Sequence, residues 1–416
     1  IKRKNGEEII VNAKVTIEAT EYGDVLAAAK VPYRLGRDTK ADTGEPHAPE
    51  KHDYEIQDMT FCAILKKYAG IAPKVPQPEN YNPEQFKCSI KTDCDITDEK
   101  YLNHKLHDWQ SFISYAALPN DKYLLNWPFR ANDYYNPSPD IYENPSTREE
   151  HYRKAKELTI AYIHYMQTIL GHPEWGLAED EFPTADNLPF IPYVRESRRM
   201  KGVYLMVEDD VVPLNNSFRA RLQKNSIAVG DYFLDHHHSS FFKKPEERLV
   251  EDLPDNAPFQ VPYECLIPEF TDGLIAAEKS ISVTHIVNGC TRLQPVVMLI
   301  GQAAGAAAAL ASLQKIQPRA VNVEELQSVL INFGCQLFPY KDVWNNHPAF
   351  GLIQRLALKG IYVDENDFEF GAENILTKAD IDKLIEKITD KKKEVIELLL
   401  ECEGTKREEV FCKIAD

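Results

Sequence analysis

Arg195-Glu196-Ser197-Arg198-Arg199 is the densest charged cluster in the chain. On an extended strand neighbouring side chains diverge, so Arg198 and Arg199 would face opposite ways. One guanidinium could clamp a planar anion bidentately, while the other forms a structural ion pair with Glu196, Asp209 or Asp210. Imidazoles make the second set. Asp235-His236-His237-His238 cannot aim three successive rings at one metal from a strand, because alternate side chains point apart. His104 and His107 have helical spacing, but no carboxylate completes a ligand set and no His-Glu-x-x-His occurs, so no metal site is expected. His285 and His237 are instead candidates for moving a proton, with Arg198 as the anion clamp. No Gly-x-Ser-x-Gly and no distinctive Ser/His/Asp order argues for a hydrolase.

Two stretches would have to position these groups. Residues 281–312 run from a β-like segment, LIAAEKSISV, through a polar turn at Asn288-Gly289 into a long small-residue helix. Pro295 suits the first helical position, where its missing N–H costs nothing. Gly301, Ala304 and Gly305 make a bare stripe fit for a close neighbour, either another backbone or a flat ligand. The helix start could also offer its N–H groups to a phosphate. Val296 to Ala311 is broken only by Gln302. That run is short of the ~20 residues a membrane span needs, and a buried core helix is expected instead. In the second stretch, a strand over 13–20 meets the turn Thr20-Glu21-Tyr22-Gly23-Asp24 and then the small-residue helix VLAAAK. A glycine there lets backbone approach a ligand or simply connects strand to helix. Before it, residues 1–12 read as a hairpin turning at Asn5-Gly6. A buried strand with no earlier partner implies a segment upstream of Ile1.

The chain's 416 residues exceed one compact core, and two or three units are expected. Its formal charge, 48 − 65 = −17, disfavours nucleic acid as a partner. The eight cysteines form no Cys-x-x-Cys pair; Cys88 and Cys94 are close enough to bridge or to remain thiols. Residues 39–53 read as a linker, 58–68 as a strand or helix, and 71–98 as irregular. The aromatic run Trp109, Phe112, Tyr115, Tyr123, Trp127, Phe129, Tyr134 and Tyr135 suits either core packing or a saccharide-stacking cleft. Residues 148–170 form an amphipathic helix stopped by Gly171-His172-Pro173. Beyond Ser312 come a linker at 314–318, a short helix at 322–333, and a helix–turn–helix ending in a Thr377/Asp380 cap and a charged helical tail. Residues 338–387 resemble a single surface-layer-homology-like repeat, read here as a docked helical extension.

VTIEATEYGDVLAAAKVPYRLGR resembles the second flavin motif of FAD-dependent oxidoreductases of the glutathione-reductase type, in the bacterial branch often labelled xanthan lyase. Ser282, Thr284, His285, Arg292 and Gly301-Gln302-Ala303-Ala304-Gly305 resemble that family's closing motif. LPNDKYLLN (118–126), RESRRMKGVY (195–204), NSIAVGDYFLDHH (225–237) and VPYECLIPE (261–269) fall between them in family order. The resemblance covers about residues 10–315. It implies an α/β fold: the remainder of an FAD-binding Rossmann-like domain at 1–45, an inserted mixed-sheet substrate domain at 46–260, a closing FAD-binding segment at 261–316, and a helical C-terminal extension at 317–416. It also implies FAD as cofactor, held by Thr20, Gly23, Asp24, Arg292, Pro295, Gly301 and Gln302, with His285, Arg198 and His237 catalytic. The reaction would be hydride transfer from a small-molecule or saccharide-like substrate to flavin. The family's Gly-x-Gly-x-x-Gly fingerprint is absent and would lie before Ile1. Ala276-Ala277-Glu278-Lys279 departs from the glycine common after this strand. The alternative is a non-catalytic saccharide-binding or scaffold protein on a degenerate flavoprotein fold. A polysaccharide lyase lacks a convincing Tyr/His/Arg or metal site. The branch is bacterial; the compartment, cytoplasmic or exported to the periplasm, and the oligomeric state are left open.

Overall fold

Short strands and long helices organise the chain. The structure, a computed structural model, describes residues 6–95, 106–126, 130–136, 138–213, 218–238, 253–361, 368–387 and 393–415. Asn5, His104, Trp127 and Phe129 of the sequence reading lie outside the described residues, and residues 6–12 carry no strand. The chain is a mixed α/β protein of two compact units. The first holds Ile1–His52, Glu196–Asp235 and Leu253–Asp416; the second holds Asp53–Arg195 and His236–Asp252. The single insert read from the sequence over 46–260 is thus interrupted, because the chain returns to the first unit at Glu196–Asp235.

In the first unit Thr16–Glu18 pairs in parallel with Leu274–Ala276. The chain leaves Glu18 through the 20–24 turn into the five-residue helix Asp24–Ala28. Gly23 caps that helix in the left-handed region, at φ 67°. A Cβ on Gly23 would stand 3.0 Å from the Arg198 Cβ and 3.2 Å from its carbonyl oxygen, so both conformation and space demand glycine. Tyr33–Arg34 pairs antiparallel with Arg199–Met200, and Ser226–Gly230 with Phe259–Pro262.

The Asn288-Gly289 turn expected from the sequence is not a turn. Both residues lie inside the helix His285–Thr291, whose cap is Thr284: its hydroxyl accepts from the Val287 N–H at 3.2 Å. A side-chain cap upstream outweighs the turn preference of an Asn-Gly pair. The chain then restarts as Gln294–Gln314, with Pro295 in its first turn. This helix is 21 residues long, and by length and composition alone it could cross a membrane. In the fold it buries one stripe, Val296, Ile300, Ala303, Ala304, Ala307 and Ala311, packing against Ser226–Gly230 and the helix Val323–Asn332. The glycines face the other way: Gly301, Gln302 and Gly305 are exposed, and a Cβ on either glycine would meet nothing within 4 Å. The alanines, not the glycines, make the close packing. The core continues without a break into the C-terminal helices through Leu337, Ile353, Leu376, Leu399 and Phe411. Thr377 and Asp380 cap their helix reciprocally: the Thr377 N–H donates to Asp380 at 2.9 Å and the Asp380 N–H to the Thr377 hydroxyl at 3.3 Å.

Every strand pairing described in the second unit is antiparallel, where a mixed sheet was expected. One sheet runs in the order Ala117–Leu118, Lys122–Leu125, Ala63–Lys67, Trp175–Leu177; the other is Asp133–Tyr134, Met59–Thr60, Tyr193–Val194. A connection as short as the one at Asn120 and Asp121, both left-handed (φ 65° and 53°), can join only antiparallel neighbours. The helix Arg148–Thr168 packs on this framework, burying Ala155, Thr159, Ala161, Tyr162 and Tyr165 around a core with Leu65, Phe86, Tyr123 and Trp175. Cys88 and Cys94 are joined by a disulfide.

The two glycine environments give opposite expectations. Gly23→Ala should destabilise by about 1–3 kcal/mol from backbone strain alone, whereas Gly301→Ala should stabilise by about 0.5–1 kcal/mol through helix propensity. Denaturant midpoints test both, and a destabilising Gly301→Ala would mean that the exposed stripe has a neighbour.

Candidate functional site

Residues 196–199 are four consecutive buried polar side chains, and each reaches a different block of the first unit. Glu196 receives the His285 ring, with Nδ1 3.0 Å from Oε2, and the Arg199 Nε at 3.0 Å. The Ser197 and Ser280 hydroxyls meet at 2.9 Å. Arg198 donates from Nη1 to the Tyr22 carbonyl at 2.6 Å and to the Asp24 carboxylate at 2.9 Å, with its guanidinium over the Tyr33 ring. Arg199 donates to Asp38 at 2.5 Å, to the Val283 carbonyl at 3.1 Å and to the Gly36 carbonyl. Asp38 in turn accepts the His285 N–H at 2.9 Å. Arg198 and Arg199 do point different ways, as two neighbours on extended chain must.

Electrostatics follow from burial. Burial alone would raise the Asp38 pKa, but the adjacent Arg199 guanidinium outweighs it and holds the carboxyl below its ordinary value. Burial likewise disfavours charge on Arg199, and Asp38 and Glu196 reverse that, raising its pKa. The carboxyl of Glu45 goes the other way: burial raises it, only partly offset by hydrogen bonds from Thr284, the Glu208 N–H and Thr43. Between Glu196 and the imidazole of His285 the arrangement can hold or pass one proton at Nδ1.

The 20–24 turn is closed by the protein itself. Glu18, fully buried, accepts the Val25 N–H at 2.6 Å, the Leu26 N–H at 3.2 Å and the Thr20 N–H. The Thr20 hydroxyl accepts the Asp24 N–H at 2.8 Å. The N–H groups of Val25 and Leu26 at the helix start, which a ligand could have met, are therefore satisfied by a carboxylate seven and eight residues earlier in the chain. Thr20, Gly23, Asp24 and Arg198 do come together in this turn. Arg292 lies elsewhere in the unit, donating to the Asp235 carboxylate at 2.7 Å and to its carbonyl at 3.0 Å. Pro295 lines a separate cavity of about 400 Å³ with Tyr232, Pro258, Tyr340 and Trp344. Gly301 and Gln302 are on the exposed face of their helix.

His237 belongs to the second unit, as does Arg195, so the charged cluster of the sequence is divided between the two. His237 Nδ1 is 2.8 Å from Asp133, and Asp133 also pairs with Arg195 at 3.1 Å. Arg195 donates to the Asp58 carbonyl and to the Thr60 hydroxyl, both at 2.8 Å. Burial would raise the Asp133 pKa, but Arg195 and His237 more than reverse it and keep the carboxyl ionised. Burial also pushes the nearby Cys62 thiol up to about 12, which leaves it protonated and inert. His236 and His238 sit with ring centroids 5.9 Å apart.

Glu18, Asp38, Glu45 and Asp133 were missed in the sequence. Asp38, Glu45 and Asp133 have partners distant in the chain, while Glu18 binds N–H groups within eight residues, and no side-chain spacing marks any of them. For a flavin, the donor set is incomplete. The 20–24 turn spends its N–H groups on Glu18 and the Thr20 hydroxyl, Arg292 is engaged with Asp235, and Gly301 and Gln302 lie on the exposed face of their helix. The residues named for FAD do not by themselves close a flavin site. Residues 1–330 match the model of the family described as FAD dependent oxidoreductase. No curated protein and no solved structure matches the chain.

Arg199→Met removes the cation from between two buried carboxylates and should cost about 3–5 kcal/mol at neutral pH. The folded-state pKa of Asp38 is lowered, so its contribution is present above the unfolded value of about 3.9 and is lost as pH falls through the folded one. The difference between wild type and variant should therefore shrink in acid. Urea titrations across that range check it, and a constant difference would rule out the ionic account.

Proposed function

The chain belongs to the FAD dependent oxidoreductase family, and from that premise we propose that it serves FAD-dependent redox chemistry on an organic substrate. The observation that carries the reading is the family match over 1–330, four-fifths of the chain. The convergence on residues 196–199 of three segments in which the resemblance was read supports it further: the 20–24 turn, the Ser280–His285 region and the arginine cluster itself. In this reading FAD is the group that accepts a hydride from substrate.

The chain's own contribution is proton handling and positioning. His285 and Glu196 form a buried imidazole–carboxylate pair whose shared proton sits at Nδ1. Asp38 fixes the backbone of that histidine, and Arg199 pairs with both carboxylates and lowers the pKa of Asp38. Arg198 is placed to position the 20–24 turn through Tyr22 and Asp24, and Arg292 to position Asp235. The pair His237–Asp133 supplies a second imidazole held by an ionised carboxylate, so a proton passed to a substrate would travel through the far ring nitrogen.

The purified protein should show the visible absorption band of bound flavin, or gain it when FAD is added and unbound dye is removed. A protein that neither carries nor acquires the band would overturn the redox reading and leave the non-catalytic alternative.

A further inference from the structure

The second unit contains a cavity of about 600 Å³ that neither His237 nor Arg195 lines. Its volume lies within the range of small-molecule sites, about 300–1,000 Å³. It opens between the helix Arg148–Thr168 and the residues around 76–85. Three tyrosines line it from two segments, Tyr81 from one and the consecutive Tyr134 and Tyr135 from the other.

Behind one ring stands a carboxylate and an imidazole. The Tyr134 hydroxyl is 3.0 Å from His151 Nδ1, and His151 Nε2 is 2.9 Å from Asp140. The carboxylate takes the Nε2 proton, so Nδ1 is the acceptor and the phenol donates to it. That fixes the direction of the phenol hydrogen and leaves the oxygen lone pairs as the acceptor offered on the cavity side. Burial, with Asp140 adding to it, pushes the phenol up to about 12, so it is neutral at physiological pH.

The charged residues on the cavity wall balance. Arg153, Lys154 and Lys156 face Glu79, Glu157 and Asp186: three cations and three anions. All but the exposed Glu79 are paired with one another or with close neighbours. Lys156 meets Asp186 at 2.6 Å, Arg153 pairs with Glu150 and Glu157, and Lys154 meets Glu150 at 3.3 Å. A wall whose lining charges balance, with five of its six ions already paired, does not select an anion or a cation. It offers many charge-assisted donors and acceptors to a neutral hydroxylated ligand. The tyrosine faces offer flat apolar surface to the C–H side of a sugar ring.

We propose that this cavity binds a neutral saccharide, one of whose hydroxyl groups donates to the Tyr134 phenol held by His151 and Asp140. The site lies wholly within the second unit and its test uses no flavin, so it stands or falls separately from the redox reading.

Isothermal titration of the whole protein with cellobiose, maltose and xylobiose tests it, with 4-nitrophenol as an aromatic probe without a sugar. Saturable binding of at least one disaccharide is expected. Tyr134→Phe keeps the ring and loses the oxygen, and should weaken that binding about tenfold. Ile160→Trp, which fills the cavity without touching the Tyr134–His151–Asp140 chain, should abolish it. If the chain is only a structural clamp, Tyr134→Phe lowers the thermal midpoint and leaves affinity unchanged, which overturns the proposal. Binding of 4-nitrophenol alone, or of none of the probes, overturns it as well.

Discussion

The guanidinium of Arg199, fully buried between Glu196 and Asp38, is the interaction on which the first unit depends. Strands in this protein are only two to five residues long, so backbone ladders contribute few hydrogen bonds to holding the segments together. Side chains take over that role. From Arg199 the network reaches the loop at Gly36 and Asp38, the backbone at Val283 and, through Glu196, the start of the helix His285–Thr291. Net stability gained by burying such ions is small, because desolvation cancels most of the Coulomb attraction. What the network supplies is a geometry: with one partner missing, the remaining charges are stranded, so the segments can meet in one way only.

Glu18 makes the same point at the other end of the site. A strand leading into a helix through a glycine turn normally presents free N–H groups, and an anion is the usual way to satisfy them. Here the anion is built into the strand. The turn is therefore complete without a ligand, and Arg198 closes it from the opposite side through Tyr22 and Asp24. The turn's hydrogen bonds are thus made within the protein, and Arg198 ties it to the segment that carries Glu196, the partner of His285.

Local chemistry was legible where one residue decides the backbone. Pro295 marked a helix start, Gly23 a strand-to-helix turn, Gly171 a helix end, and Thr377 with Asp380 a reciprocal cap; each lies where the sequence placed it. Asn288-Gly289 was misread because the Thr284 cap four residues earlier had already committed the chain to helix. The stripe of Gly301 and Gly305 was legible as bare but not as outward-facing, since helical periodicity alone does not say which face has a neighbour. Asp38, Glu18 and Asp133 were invisible for a different reason. Asp133 and Asp38 meet their partners across more than sixty residues, and Glu18 meets backbone N–H groups that no side chain marks, so no local pattern records them. The return of Glu196–Asp235 to the first unit is of the same kind: composition does not change where the chain crosses over.

The two-residue strand Asp133–Tyr134 shows how one element can serve two kinds of proton chemistry. Successive side chains of a strand leave from opposite faces. Asp133 goes to Arg195 and His237, and Tyr134 to His151. On the first face a guanidinium fixes the carboxylate as an ion, and that ion holds the adjacent imidazole at its Nδ1. On the second, the Asp140 carboxylate meets His151 and Asn136, with no arginine paired to it among the described residues, and its pull is spent on orienting the imidazole toward a neutral phenol. An ionised carboxylate is held on one side and a hydrogen-bond direction is fixed on the other. The difference comes from one arginine, because both faces are otherwise built from the same carboxylate–imidazole pair.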